Sequence, residues 1–240
     1  MDIAIVGATG NVGRKTLEVL EKKDLSIDNL YLLASSKSVG KKINFKGVNH
    51  DIHDLESFDF SKVKICFFAA GGKISEKFAE KAAKNCLVID NSSYFRMDPE
   101  VPLIVPQVNS EDLKNIKKNI IANPNCSTAQ LVIALKPLHD LFSIKRIVVS
   151  TYQSVSGGGK APMDELIEQT KLVLDGKKVK SKNFTKQIAF NVIPHIDVFS
   201  DDGYTKEELK MTNETKKILD DKIDLTATCC LLYTSDAADE

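Results

Sequence analysis

The chain has no net charge to offer a partner, since Lys plus Arg and Asp plus Glu both number 33. Without a global field, nucleic acid and anionic membrane surfaces are excluded as partners, and any charge that matters is local. No apolar run approaches the ~18 residues that span a bilayer. The N-terminus passes from Met1-Asp2 directly into an apolar segment, with neither the basic start nor the apolar core of a signal peptide, so a cytoplasmic location is expected. The five cysteines, Cys66, Cys86, Cys126, Cys229 and Cys230, form no Cys-x-x-Cys pair and no zinc spacing with the four histidines. They read as reduced thiols, and no metal site is expected. Arginine is also scarce: only Arg14, Arg96 and Arg146 stand among the 33 basic residues.

What is present suffices for one large or two ordinary domains: 240 residues, of which 42% are hydrophobic. Up to residue 125, short apolar runs alternate with helix-period segments, the pattern of βαβ units around a parallel sheet. Strands are expected at 2–6, 29–34, 64–69, 87–90, 102–105 and 119–122. Helix 11–22 groups Val12, Thr16, Leu17 and Leu20, helix 74–84 groups Ile74, Phe78 and Ala82, and a hairpin spans 43–53 about Lys46-Gly47. Beyond Asn125 the rhythm becomes helix (127–136), long strand (145–155), Gly-rich turn, helix (161–175), strand and charged helix (207–221), a second, α+β domain. No linker or repeat separates the two.

Strand 2–6 runs into Gly7-Ala8-Thr9-Gly10-Asn11-Val12-Gly13 and then a helix. Glycines there let the backbone approach a pyrophosphate, whose charge meets free N–H groups at the helix start, so Gly7, Thr9, Gly10, Asn11, Val12 and Gly13 are candidate dinucleotide contacts. The second strand ends Ala34-Ser35-Ser36-Lys37-Ser38, without the acid that binds the ribose of NAD. Lys37 and Ser38 therefore favour the 2′-phosphate of NADP; the alternative for Lys37 is one more solvated lysine. Asn123-Pro124-Asn125-Cys126 leads from a strand into a helix with Leu131, Leu135 and Leu138 at helical spacing. This sets Cys126 at a helix N-terminus, where unpaired N–H groups stabilise a thiolate. Cys66 and Cys86 lie in apolar runs as inert core. Arg96 follows a strand end, and an arginine in so lysine-rich a chain suggests two-pronged oxyanion binding; an ion pair with Asp98 or Glu100 is the alternative.

Together, GATGNVG, LASSKS, NSSYFRMDPEVPLIVPQVN, NPNCST, STYQSVSGGG, IAFNVIPHID and EELKMTNETKKIL resemble the ordered motif series of the aspartate-semialdehyde dehydrogenases over residues 1–229. The resemblance implies a Rossmann-type doubly wound parallel sheet (1–125) plus a second α+β catalytic and dimerisation domain (126–229), incomplete here, in a homodimer. It implies NADP-dependent reductive dephosphorylation of aspartyl phosphate to aspartate semialdehyde, in lysine, threonine and methionine biosynthesis. By motif, Cys126 is the nucleophile, Gln153 holds substrate and thioester, Arg96 and Lys210 bind phosphate, and Asn125 lies beside the nucleophile in the phosphate site. Glu207 meets the substrate ammonium, and Gly10, Lys37, Ser156 and Gly157 hold the cofactor.

Two departures are Gly158, where alanine is usual, and His195, where glutamine is expected; His195 follows a proline in an apolar strand and reads as structural. The last eleven residues, CLLYTSDAADE, carry no lysine and resemble the translation of a sequencing adapter, so 230–240 is expected to be a non-native tail. The family's next segment, with its substrate arginine and acid/base histidine, is then missing, and the chain as written is expected to be close to inactive. Two other readings stand beside this one. A sister reductase of N-acetyl-glutamyl phosphate shares the thiol chemistry, but Glu207 argues against it, because an acetylated nitrogen needs no carboxylate partner. A catalytically inactive NADP-binding homologue is opposed by the intact NPNC cysteine.

Overall fold

The computed structural model describes residues 1–234, and the chain divides into two compact units, Met1–Asn125 and the chain from Cys126 onward. In the first unit the apolar runs become β1 (Asp2–Val6), β2 (Asn29–Ala34), β5 (Ile65–Phe68), β6 (Leu87–Asp90) and β7 (Ile120–Ala122), joined by β3 (Lys42–Phe45) and β4 (Val48–Asp54). Their order is β3-β4-β2-β1-β5-β6-β7, parallel throughout except for β3 against β4. Ile3, Ala4, Ile5 and Val6 are all buried, as a strand covered on both faces requires. The connection reverses direction at β1, whose neighbours are β2 and β5. This is the switch point at which open α/β sheets bind ligands.

Helix α1 (Asn11–Lys22) buries Gly13, Leu17 and Leu20, while Val12 is exposed, contrary to its expected place on the inner side. Gly13 lets the helix press on the β1 turn, so the inward stripe starts at residue 13, and Val12 points about 100° away. Helix α2 (Gly72–Ala83) buries Phe78, Ala79 and Ala82. The β3–β4 hairpin turns on Lys46 and Gly47, both at positive φ (49° and 79°), as a two-residue hairpin loop demands.

The expected strand at 102–105 does not form. Leu103 makes only an isolated bridge to Ala122, supported by Ala122 N–H to Pro102 O and Ile104 N–H to Ala122 O, each 2.9 Å. Pro102 and Pro106 have no N–H, so the segment cannot carry a longer ladder. The chain continues as a short helix, α3 (Pro106–Asn109).

The second unit contains α4 (Cys126–Phe142), β8 (Arg146–Ser154), α5 (Lys160–Leu174), β9 (Val192–Ile193), α6 (Lys206–Ile218) and β10 (Asp224–Leu232). Its sheet runs β8-β10-β9, with β10 parallel to β8 and antiparallel to β9. Ile147, Met211, Ile223, Leu225 and Ala227 form its core, against which Leu131 and Leu135 of α4 pack; Leu138, expected on the same face, is exposed. Thr205 and Glu208 form a capping box at the start of α6, and Glu208 also accepts the Cys229 N–H at 3.1 Å, tying helix to strand. Two buried polar side chains of α5 hold the irregular segment 176–191. Glu165 accepts the Lys182 and Asn183 N–H groups, both at 2.7 Å, and Gln169 accepts those of Ile188 and Ala189. Of residues 230–240, expected to be a tail, Cys230, Leu231 and Leu232 complete β10, pairing with Tyr152, Gln153 and Ser154, and residues 235–240 lie outside the described residues.

Candidate active site

The glycine turn is built by close backbone approach. Gly7 has φ +84° and donates to Leu33 O at 2.8 Å, and Gly10 N–H donates to Gly7 O at 3.0 Å. A Cβ on Gly13 would lie 2.3 Å from Gly7 O, and one on Gly7 would lie 2.7 Å from Ala69 O, so neither position admits a side chain. A cleft of about 380 Å³ opens over this turn, walled by Gly7, Thr9, Gly10, Ser35, Ser36, Asp54, Glu56 and Ile74 among others. Asn11 and Val12 begin α1, whose N-cap Gly10 has no side chain to cap the helix.

Lys37 and Ser38 form a 3₁₀ turn after β2; Ser35 and Ser36 stand in the cleft wall, while Lys37 is exposed beyond it. Three charged residues near the cleft escaped the sequence reading. Asp54 and Glu56 enter its wall because β4 pairs with β2 in a register that sets Asp54 opposite Ala34. Arg14 donates from Nε to Thr9 O at 3.2 Å, at the rim of the glycine turn. The scarcity of arginine, the signal that marked Arg96, also pointed to it.

Arg96 is buried, and its guanidinium joins two chain segments. Nε donates to Asn123 O at 2.9 Å and Nη2 to Asn91 O at 3.0 Å. The loop is seated by Asp90, a fully buried carboxylate accepting from Ser75 Oγ (2.7 Å), Ser92 Oγ (2.8 Å) and Ser92 N–H (3.0 Å). Asn125, two residues beyond Asn123, is buried.

In the second unit Cys126 is the first residue of the 17-residue helix α4 and is exposed, whereas Cys66, Cys86, Cys229 and Cys230 are buried. Burial pushes the Cys66 thiol well above its ordinary value and that of Cys229 up to about 11. Gln153 on β8 and the N-terminal half of α6 meet directly. Gln153 Nε2 donates to Glu207 Oε1 at 3.0 Å, and Lys210 Nζ donates to Glu207 Oε2 at 3.1 Å and to Asp197 Oδ2 at 3.0 Å. Asp197 was not anticipated. Ser156 and Gly157 lie in the 3₁₀ turn Val155–Gly158, with Ser154 Oγ and Ser156 Oγ 2.6 Å apart. A Cβ at Gly158 would come within 2.9 Å of Pro162 Cγ, so glycine suits this turn. The His195 ring stacks on Phe199 with centroids 4.5 Å apart.

A model described as semialdehyde dehydrogenase, NAD binding domain, matches residues 2–116, and one described as semialdehyde dehydrogenase, dimerisation domain, matches residues 135–232. The chain is 54% identical to aspartate-semialdehyde dehydrogenase of Aquifex aeolicus, over 95% of this chain and 68% of that protein. The crystal structure of aspartate semialdehyde dehydrogenase II of Vibrio cholerae complexed with ASA superposes with a TM-score of 0.94 at 50% identity, covering 97% of this chain and 70% of that one. A more distant structure, aspartate semialdehyde dehydrogenase with NADP from Candida albicans, gives 0.72 at 25% identity over 98% and 68%. The chain belongs to the aspartate-semialdehyde dehydrogenase family of oxidoreductases.

Proposed function

We propose that the whole protein reduces L-aspartyl-4-phosphate to L-aspartate-4-semialdehyde with NADPH, reversibly and through an acyl-thioester on Cys126, as a cytoplasmic homodimer in lysine, threonine and methionine biosynthesis. The observation that carries this reading is Cys126 itself: it is exposed and heads a long helix, while Cys66, Cys86, Cys229 and Cys230 are buried. Helix N–H groups at that end favour negative charge on sulfur and on an oxyanion formed beside it. Attack on the acyl phosphate forms the C–S bond and expels phosphate, for which Arg96, Asn125 and Lys210 are the proposed partners. Glu207, a buried carboxylate, is the partner for the substrate ammonium, and Gln153, already bonded to Glu207, steadies the acyl group. An N-acetylated substrate would bring Glu207 no ammonium of its own, which disfavours the sister reductase.

The glycine cradle fits a dinucleotide: Gly7 and Gly13 admit no Cβ, and the N-cap of α1 brings no side chain to its N–H groups. Gly7, Thr9, Gly10, Asn11, Val12 and Gly13 are assigned to the pyrophosphate, Lys37, Ser38 and Arg14 to the 2′-phosphate, and Ser156 and Gly157 to the same cofactor. Bound NADPH supplies the hydride that reduces the acyl group. NADP in the Candida albicans relative supports the choice of cofactor. The matched dimerisation model, with Val148 and Tyr152 exposed on β8, supports the homodimer, which sedimentation equilibrium would check.

The test is direct acylation. Incubation with aspartyl phosphate should add one hydroxylamine-sensitive acyl group that peptide mass spectrometry places on Cys126. An adduct on another cysteine, or one that persists in Cys126→Ser, would sink the thioester.

A further inference from the structure

The segment leading into α6 doubles back on itself. Phe199 bridges Thr205 in antiparallel fashion, Ser200 N–H donates to Tyr204 O at 2.8 Å, and Lys206 N–H donates to Val198 O at 2.9 Å. Asp197 stands at its entrance with φ +69°, a left-handed conformation that Asp and Asn tolerate better than other side chains. One carboxylate oxygen, Oδ1, accepts the Val198 N–H at 2.9 Å, which clamps the group to its own loop. The other, Oδ2, accepts from Lys210 Nζ at 3.0 Å. Loop and helix are thus joined twice, through Lys206 N–H and through the Asp197–Lys210 pair.

We infer that Asp197 is a positioning residue that holds the Lys210 ammonium in place for an anionic ligand group. A lysine side chain has high rotamer entropy, and its ammonium, a point charge with three donors, sets no direction of its own. Glu207 at i,i−3 is one anchor, but the same carboxylate accepts from Gln153 and is the proposed partner of the substrate ammonium. When Glu207 turns to a second cation, Asp197 still holds Lys210. Two of the three N–H donors go to Asp197 and Glu207, and an incoming phosphoryl or carboxylate oxygen takes the third. Burial works against the charge of Lys210, but Glu207 and then Asp197 more than offset it, and the ammonium is held above the ordinary lysine value.

This inference rests on the reading of Lys210 as an anion-binding residue, and one experiment separates the two. The chain is treated with a trace of an amine-acylating reagent, and the modification rate of Lys210 is compared by peptide mass spectrometry with those of Lys216 on the same helix and Lys222 just beyond it. Asp197→Asn keeps the shape, the tolerance of left-handed φ and the acceptor for Val198. Loss of the part-exposed charge pair should speed Lys210 acylation about threefold while Lys216 and Lys222 do not change. An unchanged Lys210, or equal acceleration of all three lysines, would overturn the inference, the latter by showing a merely structural role. Inorganic phosphate added to the unmodified chain should slow Lys210 acylation. If it does not, while Asp197→Asn still speeds it, positioning by Asp197 stands and the phosphate assignment fails.

Discussion

Replacing Gly13 with alanine tests the packing on which the cofactor cleft depends. The added methyl would lie 2.3 Å from Gly7 O, 2.8 Å from Ala8 Cα and 2.9 Å from Gly7 C. All three are backbone atoms of a turn already fixed by the Gly7 N–H bond to Leu33 O, so no flexible side chain can yield. Overpacking of this kind costs about 1–3 kcal/mol, and contact with immobile backbone places it at the upper end, roughly 3 kcal/mol. For a domain of this size that corresponds to a fall in Tm of roughly 10 °C. Gly10→Ala is the contrast. Its Cβ would meet Gly7 O at 3.4 Å, and the residue lines the cleft. Stability should change by no more than about 1 kcal/mol, the range for an N-cap substitution, while NADPH affinity falls because the methyl stands where the pyrophosphate approaches. Calorimetry gives Tm, and nicotinamide fluorescence gives the affinity. An unchanged Tm for Gly13→Ala, or intact NADPH binding by Gly10→Ala, would refute the reasoning that close backbone approach defines this site.

Lys37→Ala should weaken NADPH binding about tenfold to a hundredfold, from ~1–3 kcal/mol of phosphate contact, and leave NADH binding unaltered, while Arg14→Ala, whose bond to Thr9 O also braces the turn both cofactors share, should weaken NADPH binding more than NADH binding; equal losses for both cofactors in Lys37→Ala would remove the 2′-phosphate assignment. A thiol reagent at neutral pH should modify Cys126 first and Cys66 and Cys229 last, since burial raises both buried thiols; peptide mapping checks the order, and early labelling of Cys66 would contradict it. Glu165→Ala should cost on the order of 3 kcal/mol, because two part-buried hydrogen bonds to a carboxylate, from the Lys182 and Asn183 N–H groups, are lost. Burial alone would raise the Glu165 carboxyl, but the N–H donors of Lys182, Asn183 and Gln169 outweigh it and hold the folded value below the ordinary 4.5. That stabilisation is therefore complete above about pH 4.5 and is lost as pH falls through the lowered value. Urea unfolding of parent and variant at pH 7 and in acid should show the gap between them closing; a constant gap would be inconsistent with this account.

The parts of this protein that the sequence determined by itself are local. A glycine series directly after an apolar strand, an Asn-Cys at a strand-to-helix junction and a Lys-Gly hairpin turn each depend on neighbours within a few residues, and β1, α1, α4 and the β3–β4 hairpin fall where those signals lie. Helix faces were less legible. Val12 and Leu138 fit an apolar period yet are exposed, because period alone does not say which rotation lets Gly13 meet the β1 turn or which turn of α4 outruns its partner. The pattern at 102–105 looked like a strand, but its flanking prolines left it one bridge. What only tertiary structure decided are meetings between distant residues: Asp54 at the cleft, Arg96 on the carbonyls of Asn91 and Asn123, Gln153 on Glu207, and Asp197 on Lys210. Each depends on which strand lies beside which, in what register, and where a loop returns. Those choices are made by the free energy of the whole fold, and no stretch of a few residues encodes them.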